Sequence, residues 1–509
     1  MDKPVQTRAT RPQHGGASLT RRGFMQAATG VAAAAALGGM FGCAPKTIGQ
    51  DQASKKASKT VTCDVLVVGG GGAGVTAAAK AAEAGANTVL IEKMSWLAGS
   101  SSLALGTLYG AGTKLQQAAG IDDNWEGLYA YFLTRGGDKL DDDMQRFCAQ
   151  HFGETIDWLY EDMGVAFKPT PAKKGSDTVP RGHSLDPNAN VLLQTMYGYA
   201  KDEGVTFNFE MAAESLIVED GAVKGVLAHH DAETYVEYRA KKTIIASGGF
   251  CRNKDMIAEY MPDYDGVYTE VGVGCTGEGL QMGLDIGADY IGHGGTNGIL
   301  ACAVSAGQSK LISTKAMWVD PDGKRFNKED GQTHDIYYQV AHFKGQHFYA
   351  VYDQAMVDAL DDSLKQSFQL GMDRGLFTKG DTVKEAAEQL GLDGDAVSAQ
   401  LDQYNEMAEA GTDTQFNKGQ ANLKPITQAP FYVLTMGICT HGSFGGYHVN
   451  TDFQVLDKAG KPIENLYAAG EVCCGSFIYD DYPAGGCGLN FSYTSGRFAG
   501  TNAANAARA

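Results

Sequence analysis

The chain has 509 residues, 43% of them hydrophobic, which is enough for one large core or for two to three domains of ordinary size. Its 60 acidic and 42 basic side chains give a net charge of −18, so it would repel a polyanion, and no nucleic-acid partner is expected. Glycine is abundant, at 66 residues, and proline is scarce, at 13, a balance that favours close backbone approaches over disorder.

Residues 1–45 are typical of an export signal. Arg21 and Arg22 in "SLTRRGFMQ" precede an alanine-rich apolar run that is too short to span a bilayer. This order resembles a twin-arginine signal and predicts a periplasmic or cell-surface location. "MFGC" resembles a lipobox, which would make Cys43 a lipid anchor, and a polar linker over residues 46–60 then leads to the fold.

The next segment, "CDVLVVGGGGAGVTAAAKAAEAGANTVLIEK", contains a complete βαβ unit with a dinucleotide fingerprint. The glycines let the backbone turn and approach a pyrophosphate at the positive end of the helix, and the acid after the second strand can accept hydrogen bonds from ribose hydroxyls. The parts in chain order are the strand Val65–Val68, the glycines Gly69, Gly71 and Gly74, the helix 73–84, the strand Thr88–Ile91 and Glu92.

The segments that follow favour a flavin over a nicotinamide. "MSWLAGSSSLALGTLYGAGT" is a second glycine and serine stretch where a nicotinamide fold would begin another helix. Residues 205–240 alternate in short runs that predict a β-meander, which returns to the strand in "KKTIIASGGF". Near the C-terminus, "PIENLYAAGEV" predicts another strand that ends in a glycine turn.

In this order, the motifs resemble the FAD-dependent oxidoreductase family that contains fumarate reductase flavoproteins, urocanate reductases and 3-ketosteroid dehydrogenases. The other motifs that carry the resemblance are "GCTGEGLQMGLDIGA", "DPDGKRFNKED", "YNEMAEAGTD" and "APFYV". The resemblance covers residues 61–509. It implies an α/β fold with a bipartite Rossmann-like FAD-binding domain, residues 61–290 and 435–509, and an inserted α+β cap over residues 291–434.

The resemblance also implies that FAD is bound non-covalently where the two halves of its domain meet, under the cap. No second dinucleotide fingerprint is present, so electrons are expected from a separate extracytoplasmic donor, linked to a cytochrome or a quinol. The family matches place FAD contacts at Gly71, Ala73, Gly74, Glu92, Lys93, Gly99, Ser100, Ser101, Gly106, Ala246, Gly248, Gly277, Gly470, Glu471 and Asn490, in addition to Gly69 of the fingerprint.

The charged groups that fumarate reductases use to hold a dicarboxylate are missing at the matching positions. Pro483 in "DYPAGGCGLN" stands where that family has an arginine, and Gly442 stands where it has a second histidine after His441. "LISTKAMW" lacks the Glu and Arg of the cap, and His334 lies in the region of the catalytic arginine. Two carboxylates removed from water need cations or strong donors, so these losses disfavour fumarate or succinate as substrate.

"YPAGG" instead resembles the Y-P-x-x-G pattern of 3-ketosteroid dehydrogenases. The resemblance implies that the Tyr482 hydroxyl and the Gly486 N–H hold a substrate carbonyl oxygen, in the manner of an oxyanion hole. For the proton donor, His334, Tyr337 and Tyr338 remain open. The sequence therefore predicts an enzyme that transfers hydride at a C=C bond conjugated to a carbonyl, with reduction of a neutral enone such as a 3-oxosteroid as the expected direction.

Other site residues and two other functions stay open. His441 is expected to border the flavin, whereas Tyr447, His448 and Tyr479 could face the substrate or the core. One alternative is a reductase of an unsaturated carboxylate, such as a hydroxycinnamate or urocanate, with Lys315 or Arg325 as the cation. The other is a flavin-bearing electron carrier without turnover of its own.

The ten cysteines do not form a ligand motif. No pair has the C-x-x-C spacing of an iron–sulfur cluster, a structural zinc site or an attached c-type haem, so no metal is predicted. The adjacent Cys473 and Cys474 are interpreted as two packed small side chains.

Overall fold

A computed structural model of the chain describes residues 57–97, 99–302, 311–331 and 333–509. The predicted export signal, the lipobox cysteine and most of the linker lie outside the described residues, and the rest of the chain belongs to one compact unit. None of the helices in the described ranges combines the length and the apolar composition needed to cross a bilayer.

The described chain contains both strands and helices, in single elements and in runs of one type. The strands are β1 (Lys59–Val68), β2 (Thr88–Ile91), β3 (Thr107–Tyr109), β4 (Gly182–Ser184), β5 (Thr206–Asn208), β6 (Ala212–Glu219), β7 (Ala222–His229), β8 (Tyr235–Ile245), β9 (Tyr268–Thr269), β10 (Tyr290–Gly295), β11 (Gly298–Cys302), β12 (Met317–Val319), β13 (His347–Asp353), β14 (Phe377–Gly380), β15 (Phe431–Thr440), β16 (Phe444–Tyr447), β17 (Gln454–Leu456) and β18 (Pro462–Ala468). The α-helices are α1 (Gly72–Glu83), α2 (Lys114–Ala118), α3 (Trp125–Leu133), α4 (Asp142–Asp157), α5 (Ala189–Asp202), α6 (Lys254–Tyr260), α7 (Glu278–Asp285), α8 (Thr333–Ala341), α9 (Gln354–Asp358), α10 (Asp362–Asp373), α11 (Val383–Glu388), α12 (Gly394–Ala410) and α13 (Cys487–Arg508).

The main sheet is built from both ends of the chain. Its order is β17-β18-β8-β1-β2-β5, and all neighbours except the edge pair β17–β18 are parallel. The first strands match the sequence prediction because Val65 to Val68 are apolar and buried, as expected for a strand covered on both faces. The predicted β-meander is also present, since β6, β7 and β8 pair in antiparallel order. The predicted α/β fold class is therefore confirmed.

A second sheet is formed by the middle of the chain. Its central strand is β15, flanked by β13 and β14 in its first half and by β11 and β9 in its second half. The side chains around Val351 and Val433 form a hydrophobic cluster of their own, together with residues of α11 and α12. The predicted domain boundaries at 290/291 and 434/435 fall inside β10 and β15, and the division into two domains stays a prediction.

Helix α13 packs closely on α1 and joins the C-terminal segment to the dinucleotide fingerprint. A Cβ atom at Gly496 would lie 2.5 Å from the carbonyl oxygen of Ala73, and one at Gly500 would lie 2.2 Å from that of Ala77. Only glycine permits this approach of the two backbones. The "YPAGG" segment, which directly precedes α13, is thereby held at a fixed position relative to the fingerprint.

Candidate active site

A cavity of about 400 Å³ lies where the parallel strands of the main sheet end. Val68, Ile91, Ala246 and Ala469 line it, each at or directly after the carboxyl end of a strand, which is where ligands bind in open α/β sheets. Most of the predicted cofactor residues lie on its wall. They are Gly69, Gly71, Ala73, Glu92, Lys93, Gly99, Ser100, Ser101, Ala246, Gly248, Gly470 and Glu471.

The fingerprint forms the expected turn at the start of α1. Gly69 has a φ of +110°, which favours glycine, and Gly71 is the N-cap residue of the helix. The Gly72 N–H donates to the Ser101 hydroxyl at 3.2 Å, and the next N–H groups of the first turn have no partner within the helix, so they can serve an anionic ligand. The carboxylate of Glu92 accepts from the N–H of Gly70 at 2.6 Å and of Met94 at 2.8 Å, which fixes it beside the turn. These features fit the pyrophosphate and ribose of a dinucleotide.

Serine, cysteine and glutamate side chains form another part of the wall. The Ser100 hydroxyl accepts from the N–H of Gly272 at 3.2 Å and lies 3.4 Å from the Cys275 sulfur. The Glu471 carboxylate accepts from the N–H of Ser443 at 2.8 Å. Burial raises the pKa of Glu471. A ligand that fills this part of the cavity therefore meets a serine hydroxyl, a thiol and the Glu471 carboxyl group.

Several wall residues escaped the sequence analysis. Met211 to Glu214 and His229 line the cavity from β6, β7 and the residue before them, and Cys275 lines it from the loop before α7. The sequence around Met211 to Glu214 and His229 predicted only a β-meander. However, the cavity-facing residues of such a meander depend on its packing against the fingerprint, which no local pattern encodes.

Four predicted cofactor residues are absent from the cavity wall. A Cβ at Gly74 would lie 1.9 Å from the carbonyl oxygen of Gly69, and one at Gly106 would lie 2.9 Å from the Ala189 nitrogen, so both glycines allow close packing. Gly277 has a φ of +84° at the N-cap of α7. The buried Asn490 amide donates to the carbonyl oxygens of Tyr109, at 2.8 Å, and Phe152, at 3.1 Å. The cofactor contacts predicted for these four residues stay predictions.

Tyr482 is half-buried and lies shortly before the start of α13. The Gly488 N–H donates to this hydroxyl oxygen at 2.7 Å, and the ring stacks on Phe444 with centroids 5.2 Å apart. Burial raises the pKa of Tyr482, and the nearby N–H groups of Gly488 and Gly486 only partly offset this. The phenol therefore stays protonated at neutral pH. It accepts one hydrogen bond from the helix start and can donate another to a ligand.

Arg135 reaches the same segment, although sequence analysis found no cation there. Its guanidinium forms an ion pair with Asp481, next to Tyr482, and donates to the Ser176 hydroxyl at 3.2 Å. Both charged side chains are partly buried, with 20% and 17% of their surface exposed. A cation therefore lies beside this segment, paired with a carboxylate of the chain, and the expectation of a neutral substrate site stays a prediction.

The three candidate proton donors on α8 have different environments. The His334 Nδ1 lies 3.8 Å from the Asp481 carboxylate and 3.5 Å from that of Asp335. The buried Tyr337 hydroxyl donates to the Thr296 carbonyl oxygen at 2.9 Å. Tyr338 is 43% exposed. His334 is therefore the one of the three that contacts the "DDYPAGG" segment, while the proton of Tyr337 is already used.

The remaining candidates divide between core and site. Tyr447 is buried and accepts from the Gly283 N–H at 2.9 Å, so it packs in the core, and His448 pairs with Asp289 at 3.0 Å. Tyr479 lies beside the segment, with its ring 4.6 Å from that of His293. Cys473 and Cys474 are buried free thiols, as their interpretation as packed side chains requires.

The two basic residues considered for a carboxylate substrate do not reach this segment. Arg325 has no exposed side-chain surface and pairs with Glu329 at 3.0 Å and Asp413 at 2.9 Å, so its charge is already neutralised. Lys315 is exposed, and among the described residues its polar contacts are through its backbone. Neither residue has a contact with the segment around Tyr482.

His441 belongs to a cluster with metal-ligand chemistry. Its Nε2 lies 3.1 Å from the Glu270 carboxylate, and the potential ligand atoms of Glu270, Cys439 and His441 lie within 4.8 Å of one another. Burial, and secondarily the Glu270 charge, raise the pKa of Cys439 to about 12, so the thiol is protonated at neutral pH. The sequence expectation that no metal is bound stays a prediction.

Comparison with known proteins gives a family match across most of the chain. The model described as "FAD binding domain" matches residues 64–489. A urocanate reductase of Eggerthella lenta is 30% identical over 87% of this chain and 75% of its own length. A digoxin reductase of the same organism is 28% identical over 96% of this chain and 97% of its own length.

Solved structures of flavoprotein oxidoreductases are also similar to this chain. The open conformation of a flavocytochrome c3 fumarate reductase has a TM-score of 0.73 and 28% identity, and covers 89% of this chain and 79% of its own. A 3-ketosteroid-Δ4-(5α)-dehydrogenase from Rhodococcus jostii, also with a TM-score of 0.73, is 24% identical over 89% of this chain and 99% of its own, and shows the fold alone. The chain thus belongs to the family with this FAD binding domain and is an FAD-dependent oxidoreductase acting on CH–CH groups.

Proposed function

We propose that this enzyme reduces a C=C bond conjugated to the carbonyl of a neutral substrate, such as a 3-oxosteroid-like enone. The observation that supports this most is the environment of Tyr482, whose hydroxyl accepts the Gly488 N–H at 2.7 Å and keeps its own proton for donation. The relative whose name gives digoxin, an uncharged molecule, as substrate supports a large neutral substrate for this chain as well.

In the proposed reaction, FAD held at this cavity and reduced by the electron donor would supply the hydride for the β-carbon of the enone. Tyr482 donates its O–H, and Gly486 its N–H, to the carbonyl oxygen, which gains negative charge as the enolate forms. Because both donors are fixed before the reaction, they stabilise this charge without reorganisation. The proton for the α-carbon would come from the protonated form of His334, which leaves a neutral imidazole. The His334 Nε2 is buried without a hydrogen-bond partner among the described residues.

A second candidate function is the reduction of an unsaturated carboxylate. The presence of Arg135 beside the segment favours it, as do the relatives named for urocanate and fumarate. A substrate carboxylate would have to replace Asp481 as the partner of Arg135. This requirement makes the neutral substrate the first choice.

The proposed cellular setting follows from the sequence. A twin-arginine signal would export the folded, FAD-loaded enzyme, and an extracytoplasmic cytochrome or quinol-linked carrier would reduce it. Cys43 would carry the lipid if the lipobox is processed. The electron donor is then a separate protein or carrier, since the chain has no second dinucleotide fingerprint.

A substrate panel tests the proposed function. Enzyme reduced anaerobically with a viologen is mixed with 3-oxo-Δ4 and Δ1 steroids, other neutral enones, and unsaturated carboxylates, and flavin reoxidation is followed by absorbance. We expect rapid reoxidation by neutral enones. Reoxidation by carboxylates alone would establish the second candidate, whereas steroid oxidation with an artificial acceptor and no reoxidation by enones would reverse the direction of the reaction.

A further inference from the structure

Arg135 and Asp481 form a charge pair at the proposed carbonyl site. Arg135 follows α3, whereas Asp481 precedes Tyr482 directly, so the pair links two distant parts of the chain. The Tyr131 hydroxyl also crosses from α3 to this segment and donates to the Pro483 carbonyl oxygen at 2.6 Å. The position of the guanidinium beside the segment is therefore held by a second contact of the same helix.

The hydrogen-bonding capacity of this pair is only partly used. Among the described residues, the Arg135 Nε, one Asp481 oxygen and the His334 Nε2 are buried without a hydrogen-bond partner. The guanidinium therefore retains a donor for a further acceptor. A second anion would nevertheless be repelled here by two carboxylates. Asp481 pairs with Arg135, and the carboxylates of Asp481 and Asp335 lie 3.8 Å and 3.5 Å from the His334 Nδ1.

We propose that Asp481 determines substrate specificity by acting as an internal counter-ion of Arg135 that excludes carboxylate substrates. This inference rests on the proposed function, since it concerns which molecules reach Tyr482. A substrate carboxylate would compete with Asp481 for the guanidinium and would also be repelled by it. In a partly buried site this repulsion is screened less than in water. Asp481 thus rejects one substrate class, whereas Tyr482 recognises the other.

Substitution of Asp481 by Asn tests this proposal through binding. Asn has the same shape but no charge, so Arg135 becomes free for a carboxylate ligand. The probes are 4-hydroxycinnamate and its methyl ester, titrated into the oxidised holoenzyme and followed by the change in flavin absorbance. We expect Asp481→Asn to tighten binding of the acid relative to the ester by about 10- to 100-fold, the range of charge-assisted hydrogen bonds.

Two further variants identify the cause. Asp480→Asn removes the same charge one residue earlier, at a side chain that is not the ion-pair partner of Arg135, and should leave the ratio of acid to ester affinity unchanged. Arg135→Gln added to Asp481→Asn should abolish the gain. If Asp481→Asn does not yield folded, FAD-loaded protein, Asp481→Ser provides the same measurement.

The binding titration separates this inference from the proposed function, because it needs no turnover. Tighter binding of the acid than the ester by the unmodified enzyme would overturn the role of Asp481. An unchanged ratio in the folded Asp481→Asn variant, or a gain that persists without Arg135, would also overturn it. Failure of the unmodified enzyme to reduce any neutral enone would instead refute the proposed function. The titration would then still decide whether Asp481 excludes carboxylates from Arg135.

Discussion

Tyr482 and Asp481 are adjacent in the chain, but their side chains have different partners. Tyr482 stacks on Phe444 and accepts a hydrogen bond from the start of α13, whereas Asp481 pairs with Arg135. We therefore assign the recognition of a carbonyl to the first and the selection against anions to the second.

Removing the Tyr482 hydroxyl should slow the chemical step. Tyr482→Phe keeps the ring and its stacking on Phe444 but deletes a donor to the developing enolate, so we expect the hydride-transfer rate to fall by about 100-fold. Stopped-flow reoxidation of the reduced flavin by an enone measures this rate. The matched control is Tyr268→Phe, since Tyr268 is 62% exposed. An unchanged rate in Tyr482→Phe would contradict carbonyl activation by this residue.

His183 should make the stability of the enzyme depend on pH. Burial lowers its pKa to about 4, and the neutral ring contacts the Thr113 hydroxyl at 2.7 Å and the Arg181 carbonyl oxygen at 2.8 Å. The unfolded chain binds this proton near pH 6.5, so the stabilisation is complete above that pH and is lost as the pH falls towards 4.

Protonation of His183 should lower the free energy of unfolding by about 3 kcal/mol in total as the pH falls from above 6.5 to below 4. Urea unfolding at pH 7 and pH 5 should show a smaller pH-dependent loss of stability in His183→Gln than in the unmodified enzyme. His230→Gln, at an exposed position, is the control and should retain the full loss. An identical loss in His183→Gln would show that other groups cause the acid sensitivity.

At the scale of elements, the contact between α1 and α13 connects the cofactor fingerprint to the substrate segment. The contact depends on small residues, because Gly496 and Gly500 lie against the α1 backbone. Displacement of α13 would shift Gly488 and the Tyr482 hydroxyl that accepts its N–H. We therefore expect packing defects in this interface to affect both FAD retention and catalysis.

Gly500→Ala should destabilise the enzyme. Its new Cβ would lie 2.2 Å from the Ala77 carbonyl oxygen, a clash that only a backbone shift relieves. Overpacking of this kind costs about 1–3 kcal/mol. Gly198→Ala is the matched control, because Gly198 is also helical and a Cβ there meets nothing within 4 Å. Urea unfolding and the FAD content after gel filtration measure the effect, and equal stability of the two variants would refute it.

At the scale of the whole molecule, the cavity needs both ends of the described chain. Val68 and Ile91 line it from the first strands, and Ala469 and Gly470 from the segment after β18. The second sheet is inserted between these parts and carries His441 directly after its central strand. Such an arrangement fits an enzyme that acquires FAD when the entire chain has folded, before the proposed export.

Replacement of the arginine pair should block export. Arg21→Lys combined with Arg22→Lys keeps the charge but changes the motif, so we expect the holoenzyme to accumulate in the cytoplasm. Cell fractionation with an immunoblot and a flavin assay measures its distribution. Arg8→Lys combined with Arg11→Lys is the control, because it makes the same change outside the motif. Normal export of the Arg21 and Arg22 variant would contradict a twin-arginine route.

The amino-acid sequence by itself determined the FAD fingerprint, the first strands and the meander, because each depends on neighbouring residues whose spacing reflects local geometry. The tertiary structure alone decided the charge of the site around Tyr482. Arg135 and Asp481 lie far apart in the chain, and no periodicity links them, so their ion pair forms only when α3 packs against the C-terminal segment. Likewise, Asn490 matched a cofactor residue by its motif, but the contacts of its side chain were decided by packing.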